Sequence, residues 1–556
     1  MNAGVQVIAD DLVETFFRQS PLSAFLMGLD DVEGTLEDLS TSERDSLVAK
    51  YSDVAARASL LIENESVDLD ARDVLTLDHI KQTAVAFSAR HMNPQVEFTV
   101  TNYSSAPLAG LISILPQLPI GSEVRRQRYL DCLRAIPRFL EQATARHRLG
   151  IAAGLTPTAR GTKYALEQID RFVNTNDHSG VRRETDDERF GVALDQVLEE
   201  LVIPAVNVYR TVVERELAPH GRPDEQCGLR WIPGGDELYA QRIRQYTWST
   251  SSAQEVHDLG KSLIAQLEEE FVEVGQRLWG ATEFSEVRER LVNDPALRFD
   301  TREEILATAI AAVRHAEQVA PQFFGVVPKE PCSVSPIPEA LADSAAVAYY
   351  FGGALDGSRP GTYFVNTSKP TLRTRHSAEA VAYHEAVPGH HFQLTIAQEF
   401  GSHLIYRVTR DVANSEGWGL YTERLADEMG LYTSDVARLG MLTADAMRAA
   451  RLVVDTGLHA LGWSRQQAID WMAAKVPMPE IEIIQETDRY IMAPGQALAY
   501  MFGRLEIERC RQNATERLGD RFDLRAFHDM VLATGPIALP AFTAAVDRWI
   551  DDQTSH

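Results

Sequence analysis

Apolar residues recur at three- and four-residue spacing through residues 124–148, 192–217, 253–279, 302–322 and 433–461. That is the period of one buried face of an α-helix. Stretches this long leave little chain for strands, so the fold class expected is mainly α. Pro204 should bend the second stretch, because its ring cannot donate to the preceding turn. At 556 residues the chain exceeds the ~250–300 residues at which one core stops growing. A large helical fold with two lobes around a cleft follows. The polar stretch 174–189 and the Pro-rich stretch 328–338 suggest boundaries. The partition expected is an N-terminal helical lobe over 1–180, a central helical region over 181–335 and a site-bearing region over 336–556.

The helical pattern breaks at 345–352 and 361–366, two short aromatic and β-branched runs joined by Asp356-Gly357-Ser358-Arg359-Pro360-Gly361. They read as a small β hairpin. An extended substrate can add itself to such a strand by backbone hydrogen bonding, and Tyr363 and Asn366 are candidate substrate-binding residues on the second run. A purely structural ribbon is the other reading.

Directly after the hairpin comes His384-Glu385-Ala386-Val387-Pro388-Gly389-His390-His391. A hydrolytic zinc site needs three protein ligands, an open position for water and a carboxylate to take its proton. Two imidazole positions and one carboxylate lie within this segment. In the usual H-E-x-x-H arrangement the histidines share a helical face, but here the fourth position is Pro388. Residues six apart on a regular helix are rotated by roughly 240° and separated by ~9 Å, too far to share one ion. An undistorted helix is therefore excluded. Pro388 cannot donate to the carbonyl of His384 and Gly389 tolerates unusual torsions, so a break there can bring His390 back toward His384. His391 is the alternative second ligand. Glu416, in Asn414-Ser415-Glu416-Gly417-Trp418-Gly419-Leu420-Tyr421-Thr422-Glu423, can supply a third ligand from another helix, and Glu423 on the same face can support a ligating histidine.

The segment and its surroundings resemble bacterial domain-of-unknown-function family 885, helical proteins that carry H-E-A-x-P-G-H-H-x-Q. Further matching signatures are Arg359-Pro360-Gly361 with Asn366, Glu416-Gly417-Trp418 with Tyr421 and Glu423, and Asp455-Thr456-Gly457-Leu458-His459. Arg489-Tyr490, Pro494-Gly495-Gln496-Ala497 with Tyr500 and Gly503, and Phe522-Asp523 with Phe527-His528 complete the set, which spans most of residues 340–540. The Glu416 and Arg489-Tyr490 segments are also distantly similar to the glutamate-ligand helical zinc peptidases. That resemblance implies a metallopeptidase-like fold holding one zinc ion, with Glu416 as third ligand, His390 as second and Glu385 as general base. It also implies Tyr490 or Tyr500 as donor to a tetrahedral oxyanion.

Asp455 and His459 stand four apart on one helical face, with Arg451 a turn back. His459 is thus a candidate either to bond the reaction intermediate or to brace the helix. Arg489, Arg373 and Arg375 are candidates to grip a substrate carboxylate by bidentate pairing, which would favour a carboxypeptidase or dipeptidase. The expectation is zinc-dependent hydrolysis of a peptide or small amide. A zinc amidase or esterase on a non-peptide molecule, or a non-catalytic binding protein with a degenerate site, are the rivals.

Charge narrows the partners. With 54 basic against 80 acidic side chains the formal net charge is −26, which repels nucleic acid and anionic membrane surfaces. The amino terminus carries acids and lacks the apolar run of a signal peptide, no stretch of 18 uninterrupted apolar residues occurs, and no C-x-x-C pair is present among four cysteines. A soluble, cytoplasmic protein is expected; the oligomeric state stays open, with a homodimer among the options.

Overall fold

In the computed structural model, which describes residues 1–64, 66–342, 346–353, 359–400 and 403–555, the periodic stretches are helices. Residues 124–148 lie inside Glu123–Ala152, and the third, fourth and fifth stretches correspond to Ala253–Trp279, Arg302–Val319 and Asp435–His459. Their starts are set by side chains that accept from otherwise unpaired first-turn amides. Ser122 accepts from Arg125 and Thr301 from Glu304, while Ser252 and Glu255 form a reciprocal capping box. The stretch carrying Pro204 deforms by widening: a π-turn over Leu198–Val202 delivers the proline to the second position of the helix Ile203–Val212. There its missing N–H costs least.

The chain divides into two units. The first comprises residues 1–241, 457–468 and 487–494. Its apolar core includes Tyr129, Leu133, Phe139, Phe172, Tyr209 and Val213, from the helices Glu123–Ala152, Ala159–Asn174 and Ile203–Val212 and the π-turn that follows. The second comprises residues 242–456, 469–486 and 495–556.

The second unit contains a three-stranded sheet, β1 (Ser333–Pro336), β2 (Ala348–Phe351) and β3 (Thr362–Val365), in the order β1-β3-β2. β2 and β3 are the antiparallel hairpin expected, with Tyr350 opposite Tyr363; Asp356, Gly357 and Ser358 of its connection, and Ala345 ahead of it, lie outside the described residues. β1 pairs parallel to β3, with Val334 opposite Tyr363. It arises from the Pro-rich stretch read as a boundary, which Pro336 can close because β1 is an edge strand.

Five helices position the functional side chains: α1 (Ala378–Glu385), α2 (His390–Phe400), α3 (Val412–Glu428), α4 (Asp435–His459) and α5 (Ala499–Leu518). α3 packs along α5 and against α1. Asp445 of α4 joins three of them: its carboxylate, with no exposure, accepts from Arg424 of α3 and Arg504 of α5. Burial pushes this carboxyl upward, but the two guanidinia hold it below its usual range. Arg424 also pairs with Glu270 at 2.7 Å. Among the described residues no helix is long and apolar enough to cross a membrane.

Removing one partner of a buried ion network strands the others. Asp445→Ala, which leaves two guanidinia facing each other, should cost about 3–5 kcal/mol in urea unfolding. A loss under about 1 kcal/mol would show that the network carries no such load.

Candidate metal centre

The chain solves the six-residue spacing by ending one helix and starting another. α1 stops at Glu385, a cis Val387–Pro388 bond follows, and α2 begins at His390. The turn is tight: a Cβ on Gly389 would stand 1.9 Å from the carbonyl oxygen of His384 and 2.4 Å from that of Tyr383. Only glycine lets the chain fold back over the end of α1 this closely. Trp418 of α3, fully buried, closes the turn by donating its indole N–H toward the carbonyls of Pro388 (3.0 Å) and Gly389 (3.2 Å).

The fold-back places His390 beside His384, with ring centroids 4.8 Å apart and planes at 82°. Glu416 of α3 faces both: its Oε2 lies 3.5 Å from His384 Nε2 and 3.6 Å from His390 Nε2. Ligands ~2.0–2.1 Å from a tetrahedral ion stand ~3.3–3.4 Å from one another, so these separations need only a small contraction around a cation. Among the described residues, His384, His390 and Glu416 are the one group of three His, Cys, Asp or Glu whose ligand atoms converge, all within 4.8 Å of one another.

The surroundings fix the His384 ring. Its Nδ1 is 2.8 Å from Glu423 Oε1; a carboxylate only accepts, so Nδ1 carries a proton, and Nε2 is the ring nitrogen that faces the cluster, where a cation would take the place of its proton. Burial works against charge on this ring, but Glu416 and Glu423 outweigh it and hold His384 up to about 9. Burial also pushes Glu416 upward, and the two imidazoles reverse that, leaving its carboxyl well below the usual range. Gly419 lies between the two acids on α3, where a Cβ would approach the His384 ring to 2.6–2.9 Å. The imidazole occupies the space that a side chain would fill. Two imidazoles, one carboxylate and a glycine-shaped seat fit a tetrahedral divalent cation with an open fourth position.

His391 is directed elsewhere. Its Nε2 donates to the carbonyl of Glu330 at 3.1 Å, which leaves Nδ1 to accept from the hydroxyl of Tyr350 at 3.0 Å. Of the two neighbouring histidines, His390 joins the cluster. Glu385, at the end of α1, accepts from the backbone N–H of Tyr350 on β2 at 2.9 Å, which ties the carboxylate to the sheet edge.

The other expected residues are placed as follows. Tyr500 lies in the second unit, half-buried, with the Arg451 guanidinium 4.3 Å from its ring centroid. Tyr363 is 1% exposed in β3, where burial pushes its hydroxyl up. Asn366 ties the turn after β3, donating to the carbonyls of Ala342 and Ala346 and accepting from Ser368. Arg373 donates to the Ser368 carbonyl, and Arg375 pairs with Asp300 and Glu304. Asp455 accepts from the Gly495 amide, and Arg451 pairs with Glu486.

His459, Arg489 and Tyr490 belong to the first unit. His459 is fully buried, accepts from the Leu229 amide and donates to the Tyr490 carbonyl, each at 3.1 Å; burial lowers it to about 3. Both of its ring nitrogens are engaged within this unit. Arg489 stacks on Tyr490 at 4.9 Å.

Residues that sequence reasoning missed are Gly419, the Tyr350 amide and Arg448, whose Nη2 is 3.5 Å from Glu423. Only Gly419 carried a signal: it falls on the face between Glu416 and Glu423.

Residues 21–546 match the family described as bacterial protein of unknown function, DUF885. The chain belongs to this family. A crystal structure of a candidate lipoprotein from Colwellia psychrerythraea superposes with a TM-score of 0.89 at 25% identity, over 99% of this chain and 100% of that one. The structure of a candidate lipoprotein of unknown function from Shewanella oneidensis gives a TM-score of 0.78 at 18% identity, over 98% and 99% of the two chains, and shares the fold. No functionally curated protein matches the chain.

The cluster predicts which histidine matters. His384→Ala, His390→Ala and Glu416→Ala should each lose stoichiometric zinc in elemental analysis, whereas His391→Ala should keep it; retention in the first three, or loss in the fourth, would overturn the assignment. Gly419→Ala should displace the His384 ring and weaken zinc binding by roughly 10–100-fold, the range seen when the surroundings of a ligand are disturbed. Unchanged affinity in a competition titration would mean that the ring does not depend on that space.

Proposed function

We propose that this protein is a zinc-dependent hydrolase that cleaves peptide bonds. The observation that carries the reading is the convergence of His384, His390 and Glu416 with Glu385 adjoining the first of them. A donor set of two imidazoles and one carboxylate suits zinc, although manganese or cobalt can occupy similar sites. The metallopeptidase-like character of the fold, with its substrate cleft, belongs to this proposal.

A cation held by the three ligands would supply Lewis acidity and lower the pKa of water to near neutrality. Glu385 would take the proton from that water and pass it to the leaving amine. The Tyr350 amide fixes the carboxylate for both transfers through its 2.9 Å hydrogen bond. Tyr500, a half-buried phenol in the same unit, is the preferred donor to the developing oxyanion.

The sheet favours a peptide over another amide. The Asn366 amide donates to the Val347 carbonyl; by the antiparallel alternation Val347, Tyr349 and Phe351 direct their backbone groups at β3, and Ala348 and Tyr350 direct theirs away. On this outer edge the Tyr350 amide is committed to Glu385, and the Ala348 backbone groups with the Tyr350 carbonyl can receive an extended substrate as an added strand. Cytoplasmic residence is part of the proposal, favoured by cysteines that are all free and buried.

Glu385→Gln tests the chemistry apart from binding. On a substrate found by peptide-library digestion, the variant should retain zinc while turnover falls by roughly 10²–10⁴-fold, the usual worth of a general base. A zinc-loaded variant with near-normal turnover would remove Glu385 as the base, and a zinc-free one would make it a ligand.

A further inference from the structure

Two of the arginines of α4, Arg448 and Arg451, stand three residues apart and so on one face. Both guanidinia turn to the same ring: that of Arg451 lies 4.3 Å from the centroid of Tyr500 and that of Arg448 6.0 Å. Two like charges gathered on one phenol repel unless anions balance them. Glu486 serves Arg451 at 3.0 Å. Arg448 is served less well. Its Nη2 stands 3.5 Å from Glu423 Oε1, beyond ordinary hydrogen-bond length, and that oxygen is already committed to His384 at 2.8 Å. Its Nη1 reaches the Ala444 carbonyl at 3.3 Å, and its Nε is buried with no partner among the described residues. A buried guanidinium N–H left unpaired is costly and calls for a reason.

We propose that Arg448, with Arg451 and Tyr500, forms a subsite for a carboxylate of the substrate, beside the metal centre. The proposal rests on the hydrolase reading above for its direction and names the substrate class: peptides with a carboxylate near the scissile bond. The contact sequence His384–Glu423–Arg448 ties the subsite to the cluster. The planar fork of a guanidinium matches a carboxylate, and the Tyr500 ring, which both arginines approach, sets their position. Overall charge sharpens the case. A chain of net charge −26 repels anions at range, so an acidic substrate group needs a local cationic seat to dwell there.

The test uses full-length, zinc-loaded wild-type protein, Arg448→Gln and Arg448→Lys. Peptides matched except for a free C-terminal acid, a C-terminal amide, or an amidated end with Glu at that position distinguish a terminal carboxylate from a side-chain one. Wild type should prefer a carboxylate form at least 10-fold in kcat/KM, the Gln variant should lose that ratio through KM, and the Lys variant should recover part of it. A ratio unchanged in Arg448→Gln, with zinc affinity lowered, would make Arg448 a brace for Glu423 and overturn the proposal. Calorimetric titration of succinate into the same proteins gives a readout independent of turnover, with at least 10-fold tighter binding expected for wild type than for Arg448→Gln. Arg448-dependent succinate binding without cleavage of any peptide would sink the hydrolase reading and leave the subsite standing. Peptide cleavage with equal or no succinate binding would do the reverse.

Discussion

The candidate metal centre depends on the chain reversing between His384 and His390. A continuous helix would carry these rings to different faces, so the break at Pro388 and Gly389 is a geometric requirement. Gly389 permits the reversal because any side chain there would strike the carbonyls of Tyr383 and His384. Trp418 then holds the turn from α3, the helix that also brings Glu416. One contact between helices thus fixes both the second histidine and the carboxylate that faces it.

Charge is managed differently at two acid clusters of the second unit. Asp445 is answered by two arginines and binds helices together. Among the described residues Glu416 is answered by imidazoles, at separations longer than ordinary hydrogen bonds. A half-buried carboxylate facing two rings at such distances is poised to share a cation with them. Glu423 stands between these cases, bonded to His384 on one side and approached by Arg448 on the other.

Much of this was legible in the sequence because it is local. Helical period depends on neighbours a few residues away, and the long helices follow it; the β2–β3 hairpin announced itself by its aromatic and β-branched runs. The Pro-Gly break likewise told that His384 and His390 could not share one helix. What escaped depends on packing between distant segments. β1, Ser-Val-Ser-Pro, has no distinctive alternation and becomes a strand because β3 lies beside it. Gly419 gains its meaning only when α3 lies against His384, and His391 is parted from His390 by partners on Glu330 and Tyr350. His459 stood four residues from Asp455 as though they shared a task, yet its ring is engaged with Leu229 and Tyr490.

The central claim is that His384, His390 and Glu416 together hold one zinc ion. X-ray absorption at the zinc edge of the purified, zinc-loaded protein addresses it directly. The account predicts a first shell of nitrogen and oxygen at ~2.0–2.1 Å, with the outer scattering of two imidazoles and no sulfur. Scattering from sulfur near ~2.3 Å, or a first shell without two imidazoles, would contradict it.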